Sequence, residues 1–144
     1  MLISARGRYA LGLMMDLAEH DNGEPVKLKD VARRQGISLS YLEQVSGILK
    51  RGGFIKSFRG YSGGYKIRLT PDQYTVGMIL RVTEGPDMNT QGERLVITED
   101  SNSSDYVTSL LCRQIMDIVN DTADKITLKD LIEWQEDRKN NYVI

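Results

Sequence analysis

Two amphipathic segments separated by a three-residue turn that begins with glycine constrain the fold more than any other feature of this sequence. Residues 28–35 have apolar side chains at helical spacing and are followed by Gly36, which favours a turn. Residues 39–51 repeat the pattern, and Ser38 or Ser40 can cap this second helix. The predicted inward faces of the two helices carry Leu28, Val31, Ala32, Leu42, Val45 and Leu49. The sequence therefore predicts two short helices joined by a tight turn.

A glycine-rich hairpin follows the second helix. Gly52 and Gly53 end that helix, and residues 54–58 and 65–69 are typical of strands joined by the loop 59–64. Further helices are predicted over about residues 9–18 and 75–83, the latter ended by Gly85 and Pro86. Helix, short helix, turn, helix and hairpin in this order predict a winged helix-turn-helix, a mainly α fold with a small β-wing.

The remainder of the chain is predicted to be a loop and two more helices. Residues 87–104 are polar and poorly periodic, whereas residues 107–122 form the longest helical pattern. A last short helix is expected over about residues 127–135, with Thr127 as its cap. We therefore predict a winged helix-turn-helix domain over 1–84, a loop over 85–104, and a long helix with a C-terminal tail over 105–144.

The charge of the chain is divided between its two parts. Residues 1–84 carry 13 Lys and Arg against 8 Asp and Glu, whereas residues 85–144 carry 6 against 12, within a net charge of −1. A basic head favours a polyanionic partner, and double-stranded DNA suits the predicted fold. No apolar run approaches the ~20 residues of a membrane span, and no secretory signal is apparent, so we expect a cytoplasmic protein.

The second helix of the pair is the candidate DNA-reading element. Its outward residues are short polar groups suited to base edges, together with an aromatic hydroxyl and a cation suited to phosphates. In the hairpin, Arg59 would be attracted to a minor groove. Taken alone, the polar helix face could be an ordinary solvated surface. The glycine-rich hairpin could likewise be an ordinary tight turn. The predicted DNA-binding residues are Ser38, Ser40, Tyr41, Glu43, Gln44, Lys50 and Arg59.

Several segments resemble the Rrf-two (Rrf2) family of bacterial transcription repressors. The segments are residues 7–11 (GRYAL), 35–44 (QGISLSYLEQ), 59–65 (RGYSGGY), 84–86 (EGP) and 126–128 (ITL). The resemblance implies a homodimer in which each long C-terminal helix crosses its partner, with two winged helices on a palindromic operator. It also implies base contacts from Ser40, Glu43 and Gln44, a backbone contact from Tyr41, and Arg59 in the minor groove.

The chain departs from the cluster-binding members of that family. Those members hold a [2Fe–2S] centre with three cysteines between the Gly-Pro pair and the long helix, where residues 87–106 here contain none. Several thiolates are needed to hold such a cluster, and Cys112 is the only cysteine in the chain. We therefore predict no cofactor and no metal. The resemblance is then to the cluster-less members, which control cysteine metabolism and take cysteine synthase as a partner.

Three other features have an ordinary and a functional interpretation. Cys112 lies beside Leu111 and Ile115 and is expected to be buried and inert, with a redox switch as the alternative. His20 is expected to stabilise the end of the first helix. The acidic residues Glu99, Asp100 and Asp105 are expected to form a solvated loop, with a hard-cation site as the alternative.

The last residues suggest a partner enzyme. Tyr142, Val143 and Ile144 form an apolar tip that is similar to the tail with which serine acetyltransferases dock into cysteine synthase. A captured carboxylate with its isoleucine side chain in a pocket is a known recognition mode, and a frayed or packed tail is the alternative.

The leading hypothesis is a DNA-binding repressor, and the second is a protein-interaction module acting through this tail. Catalysis is not expected, because one His and one Cys far apart supply no nucleophile with an activating base.

Overall fold

The structure, a computed structural model, describes residues 3–84 and 104–141, without the side chains of residues 104 and 105. The elements in these ranges, in chain order, are α1 (Ala5–Glu19), α2 (Leu28–Gln35), α3 (Leu39–Arg51), β1 (Ile55–Phe58), β2 (Gly64–Ile67), a 3₁₀ turn (Pro71–Gln73), α4 (Val76–Glu84), α5 (Ser104–Lys125) and α6 (Leu128–Asn141). The fold is mainly helical with one small sheet, as predicted.

The α2–α3 junction follows directly from local sequence. Gly36 ends α2 in the left-handed region, at φ 66°, where a side chain would be strained. Ser38 then caps α3, because its Oγ accepts a hydrogen bond from the backbone N–H of Tyr41 at 3.2 Å. Both helices have the predicted bounds. Of the two serines that could cap α3, Ser38 and Ser40, the structure uses Ser38.

The wing is an antiparallel hairpin attached to the start of α2. Ile55 pairs with Ile67, and Phe58 pairs with Gly64. Outside the hairpin, Val26 exchanges two backbone hydrogen bonds with Tyr65, at 2.9 and 2.8 Å. A Cβ on Gly64 would lie 2.4 Å from the carbonyl oxygen of Val26, so this close approach requires glycine.

The core is formed by one face of α1 together with the inward faces of its neighbours. Leu13, Met14 and Leu17 of α1 are at most 1% exposed and belong to one cluster with the apolar residues of α2, α3 and the wing. Leu128 of α6 is also fully buried in this cluster. The C-terminal helix therefore returns to the winged-helix core.

The two C-terminal helices are longer than predicted. α5 begins at Ser104, and α6 runs to Asn141, so the prediction that the last helix ends near residue 135 is wrong. Residues 136–141 are all polar and offer no apolar spacing from which a helix could be predicted, although Glu136, Arg138 and Lys139 favour a helix by intrinsic propensity. Thr127 caps α6 as expected, since its Oγ1 accepts from the N–H of Asp130 at 3.1 Å.

No helix within residues 3–84 and 104–141 has both the length and the apolar character needed to cross a membrane.

Candidate nucleic-acid interface

Helix α3 has one buried and one exposed face. Leu42, Val45 and Leu49 are at most 1% exposed, because they pack into the core beneath the helix. The opposite face is polar and lies in solvent, and it consists of Ser40, Glu43, Gln44 and Lys50. Four of the predicted DNA-binding residues therefore share one accessible face with hydrogen-bonding groups and a cation.

Two other predicted residues of this helix also hold the fold together. The Ser38 hydroxyl is engaged in capping, as described above. The Tyr41 ring is half-buried and meets Tyr9 of α1 edge to face, with centroids 5.0 Å apart and planes at 84°. Tyr41 thus fixes α3 against α1, which helps orient the exposed face.

A buried carboxylate of α1 holds α2 in place. Asp16, only 6% exposed, accepts two hydrogen bonds from Arg34, at 2.6 and 3.0 Å. Gln35 donates to the Gly12 carbonyl oxygen at 2.8 Å and to Asp16 at 3.4 Å. The hydrogen bond that Arg34 donates to Asp16 raises the pKa of Arg34 above its already high ordinary value. This bidentate pair fixes the angle between α1 and α2, and no local pattern in the sequence pairs residues 18 positions apart.

The wing loop is shaped by its glycines. Gly63 donates a backbone hydrogen bond to Gly60 O at 3.0 Å, and Gly60 has φ 97°. A Cβ on Gly63 would lie 2.3 Å from Phe58 O, so a larger residue cannot stand there. Arg59 is exposed beside this turn. Among the described residues, no carboxylate forms an ion pair with Arg59, so its charge is available to an outside anion.

The base of the wing is anchored by Tyr74. Its hydroxyl donates to the Phe54 carbonyl oxygen at 2.7 Å and accepts from the N–H groups of Arg68 and Leu69, at 3.1 and 3.0 Å. The ring is 1% exposed and stacks on Phe54. One buried hydroxyl thus satisfies three backbone groups where the hairpin meets the core.

Two residues of this surface were missed by sequence reasoning. Tyr61, at the apex of the wing turn, is 95% exposed, and the Lys27 ammonium lies 4.9 Å from the centre of its ring. Tyr61 lies two residues from Arg59, inside a loop whose interpretation from the sequence rests on its glycines and on Arg59. Lys27 immediately precedes α2 and comes near Tyr61 only through the Val26–Tyr65 pairing, so its position depends on tertiary structure.

The only cysteine is exposed, and the prediction that Cys112 is buried is wrong for the single chain. Among the described side chains of α5, Ala123 alone is buried, in a cluster with Val76 and Leu80 of α4. Cys112 lies three turns earlier on the same face of α5, where no residue within 3–84 and 104–141 provides such cover.

An iron–sulfur cluster does not fit the available donors. One thiolate cannot supply the several soft anionic ligands that such a cluster needs. Within the described ranges, no three residues of the types His, Cys, Asp and Glu are grouped as a metal would require. His20 is engaged as expected at the end of α1, with Nδ1 2.9 Å from Asp16 O and 3.4 Å from Asp16 Oδ1.

Two predicted features lie outside the described residues. The acidic cluster falls there, since Glu99 and Asp100 and the side chain of Asp105 are not described. The tail formed by Tyr142, Val143 and Ile144 falls there as well. Both remain predictions from the sequence.

The exposed polar face of α3 lies beside a wing whose turn is shaped by glycines and carries the exposed Arg59. This arrangement defines a winged helix-turn-helix regulator. Residues 3–134 match the Rrf2 family profile, which is described as an iron-dependent transcriptional regulator. The chain belongs to the Rrf2 family of transcriptional regulators.

Its relatives include regulators named IscR and regulators named CymR. The transcriptional regulator IscR of Pectobacterium carotovorum is 36% identical over 94% of this chain and 82% of its own length. The regulator CymR of Bacillus subtilis is 35% identical over 99% of this chain and 98% of its own length. These relatives are regulators and not enzymes.

Similar solved structures also include a CymR and an IscR. The structure of B. subtilis CymR, described as a global cysteine regulator, has a TM-score of 0.76 at 36% identity and covers 93% of this chain and 98% of its own. The structure of T. potens IscR has a TM-score of 0.78 at 34% identity and covers 96% and 90%.

Proposed function

We propose that the protein is a sequence-specific DNA-binding repressor that acts as a homodimer on a palindromic operator in the cytoplasm. The exposed polar face of α3 carries this proposal, because its buried face is fully engaged in the core and leaves the polar face accessible. Ser40, Glu43 and Gln44 would read base edges in the major groove. Ser38, Tyr41 and Lys50 would position the helix on phosphates, and Arg59 would enter the adjacent minor groove.

The exposed face of α5 supports the homodimer. Val107, Leu111, Ile115 and Ile118 recur at spacings of four, four and three residues and are 65, 55, 48 and 66% exposed. An apolar stripe of this length on a helix is typical of a surface that a second helix covers. We propose that the same stripe of a second copy covers it. Residues 1–84 would then form the DNA-binding unit and residues 105–144 the dimer-forming part, with Leu128 of α6 packed into the core of the DNA-binding unit.

Affinity for a selected duplex tests the proposal. A duplex would first be selected from a randomised library with the wild-type protein, and its dissociation constant measured by fluorescence anisotropy at several salt concentrations. We expect Gln44→Ala to weaken binding about tenfold or more, because each good base contact contributes ~1–3 kcal/mol. Gln135→Ala on α6 is the matched control and should bind as wild type. Failure to select any preferred sequence would contradict the proposal.

We further propose that regulation proceeds without an iron–sulfur cluster and concerns cysteine or sulfur metabolism. The single cysteine of the chain supports regulation without a cluster. The likeness to a global cysteine regulator supports a role in cysteine or sulfur metabolism. Protein purified without oxygen should show no visible iron–sulfur absorption and should bind the selected duplex equally well before and after treatment with an iron chelator.

A second candidate function is that of a protein-interaction module whose partner is cysteine synthase. The resemblance of Tyr142, Val143 and Ile144 to an enzyme-docking tail favours it. Titration of the synthase, followed by the fluorescence of its pyridoxal phosphate, should show binding that is lost when Ile144 is deleted. Tight partner binding by a protein without DNA sequence preference would favour this function over the first.

A Cys112-based redox sensor is the remaining alternative, favoured by the exposure of this thiol in the single chain. Peroxide should then weaken DNA binding by the wild type and have no effect on Cys112→Ser. Equal sensitivity of the two proteins would remove this alternative.

A further inference from the structure

The tip of the wing carries an aromatic side chain that the fold itself does not use. Tyr61 is 95% exposed, so its ring gains almost nothing from burial in the free protein. Every other described tyrosine is at least partly buried. One exposed ring is ordinary by itself, so the inference depends on the fixed position of Tyr61 and on the charges beside it.

The backbone holds Tyr61 in a fixed place. Gly60 and Gly63 form the first and fourth positions of a turn closed by a 3.0 Å hydrogen bond, so Tyr61 and Ser62 are its two central residues. Gly63 cannot accept a Cβ, and the pairing of Val26 with Tyr65 fastens the hairpin at its base. The ring is therefore presented by a defined turn.

Positive charge surrounds the ring. The Lys27 ammonium lies 4.9 Å from the ring centre, a cation–π geometry, and Arg59 is two residues away. In the part of the chain that the structure describes, neither cation forms an ion pair with a carboxylate. Two free cations beside an exposed ring match a nucleic-acid backbone with its sugars better than they match a protein surface, which would offer mixed charges.

We propose that Tyr61 and Lys27 form a second contact with the DNA minor groove, beside the contact of Arg59. The Tyr61 ring packs on the deoxyribose wall of the groove, and its hydroxyl reaches the acceptor atoms at the groove edge. Lys27 contacts the adjoining phosphate and orients the ring. Because the minor groove distinguishes A·T from G·C by the guanine amino group, this contact adds a preference for A·T under the wing. The proposal rests on the DNA-binding function proposed above.

Binding of wing variants to the selected duplex tests the proposal. Each wing of the bound dimer loses the contact of one ring, so we expect Tyr61→Ala to weaken binding about a hundredfold, which is ~2.7 kcal/mol for the two rings together. Tyr61→Phe should keep most of the ring contribution and lose part of the A·T preference. Lys27→Gln should reduce the slope of log affinity against log salt by about 1.8, as expected when both wings of the bound dimer lose one phosphate contact. Lys129→Gln on α6, an exposed lysine away from the wing, is the matched control and should leave the slope unchanged.

Base analogues identify the groove that is read. Each A·T pair of the selected duplex flanking the α3 contacts would be replaced in turn by G·C or by inosine·C, which looks like G·C in the major groove and lacks the minor-groove amino group. Wild type should be weakened by G·C and not by inosine·C at the pair under the wing. This difference should shrink in Tyr61→Ala while Arg59 is still present. An unchanged difference, or a loss that is equal for all duplexes, would overturn minor-groove reading by Tyr61.

The two proposals fail in different ways. If Gln44→Ala weakens binding and Tyr61→Ala does not, the DNA-binding function stands and the wing inference is wrong. If neither changes binding to any duplex, the proposed function itself is wrong. Circular dichroism melting should give the same midpoint for wild type and Tyr61→Ala, because the exposed ring contributes little to the core. A binding loss accompanied by a lowered midpoint would count against a direct contact.

Discussion

The winged-helix part of the chain and helix α5 bury their apolar residues to very different extents. In α1, the side chains of Leu13, Met14 and Leu17 are at most 1% exposed. In α5, the side chains of Val107, Leu111 and Ile118 are 65, 55 and 66% exposed. Both helices have apolar residues at helical spacing, so spacing alone does not distinguish them. What differs is that α1 finds its partners within the chain and α5 leaves one apolar stripe without cover.

The largest expected effect comes from charging the uncovered stripe. In a two-fold interface Leu111→Asp removes two leucines and places two carboxylates in contact, so we expect dimer dissociation to increase about a thousandfold. Sedimentation velocity would measure the change, and affinity for the selected duplex should fall with it. Arg113→Asp, on α5 but off the stripe, is the control. If Leu111→Asp left the dimer unaffected, the apolar stripe of α5 would not be the surface that a second copy covers.

A cavity in the winged-helix core should have the next largest effect. Leu13→Ala removes a fully buried side chain, and we expect the free energy of unfolding to fall by about 3 kcal/mol. Val107→Ala removes a smaller side chain that the single chain leaves exposed. Measured at a concentration where the protein is monomeric, its loss should be below about 0.5 kcal/mol. Guanidinium denaturation of both variants would measure the two losses of unfolding free energy. Equal losses would contradict the difference between the buried core and the exposed stripe of α5.

Removal of one hydroxyl tests how firmly the wing is attached to this core. Tyr74→Phe removes the hydrogen-bond partner of the Leu69 N–H and, among the described residues, leaves Phe54 O and the Arg68 N–H with just their 3.4 Å hydrogen bond to each other, so we expect a loss of about 2 kcal/mol. Hydrogen exchange should become faster at Arg68 and Leu69, whereas α5 should be unaffected. Tyr61→Phe is the matched control, because that hydroxyl is not part of the fold.

The smallest expected effect is a pH dependence at the 3₁₀ turn. The hydrogen bond from the Thr70 hydroxyl lowers the pKa of Asp72 below its ordinary value of 3.8. A lowered pKa in the folded state favours folding above the unfolded-state value, and this contribution is lost as pH falls through the folded value. The small stability difference between wild type and Asp72→Asn should be constant above about pH 5 and shrink below pH 4. A difference that grew on acidification would contradict the assignment.

Local chemistry explains what the sequence could predict. The bounds of α2 and α3 follow from Gly36 in the left-handed region and from the Ser38 cap, both of which act within a few residues. The accessible polar face of α3 follows from the same periodicity. The wing was predicted because glycines bracket its loop.

What escaped prediction depends on contacts between distant residues. Asp16 with Arg34 and Tyr74 with Phe54 join residues 18 and 20 positions apart, and nothing local marks them as partners. Cys112 was expected to be buried because its sequence neighbours are apolar, yet those neighbours are themselves exposed in the single chain. The charged end of α6 had no apolar spacing from which its length could be predicted.

The wing turn also has a consequence for protein engineering. Gly63 and Gly64 each lie against a backbone carbonyl oxygen, at 2.3 and 2.4 Å from where a Cβ would stand, so neither position can be varied. Tyr61 and Ser62 project outward between these fixed points and are exposed. The loop is therefore a small interchangeable cassette, in which two positions can be randomised to alter base preference while the glycine frame keeps every library member folded.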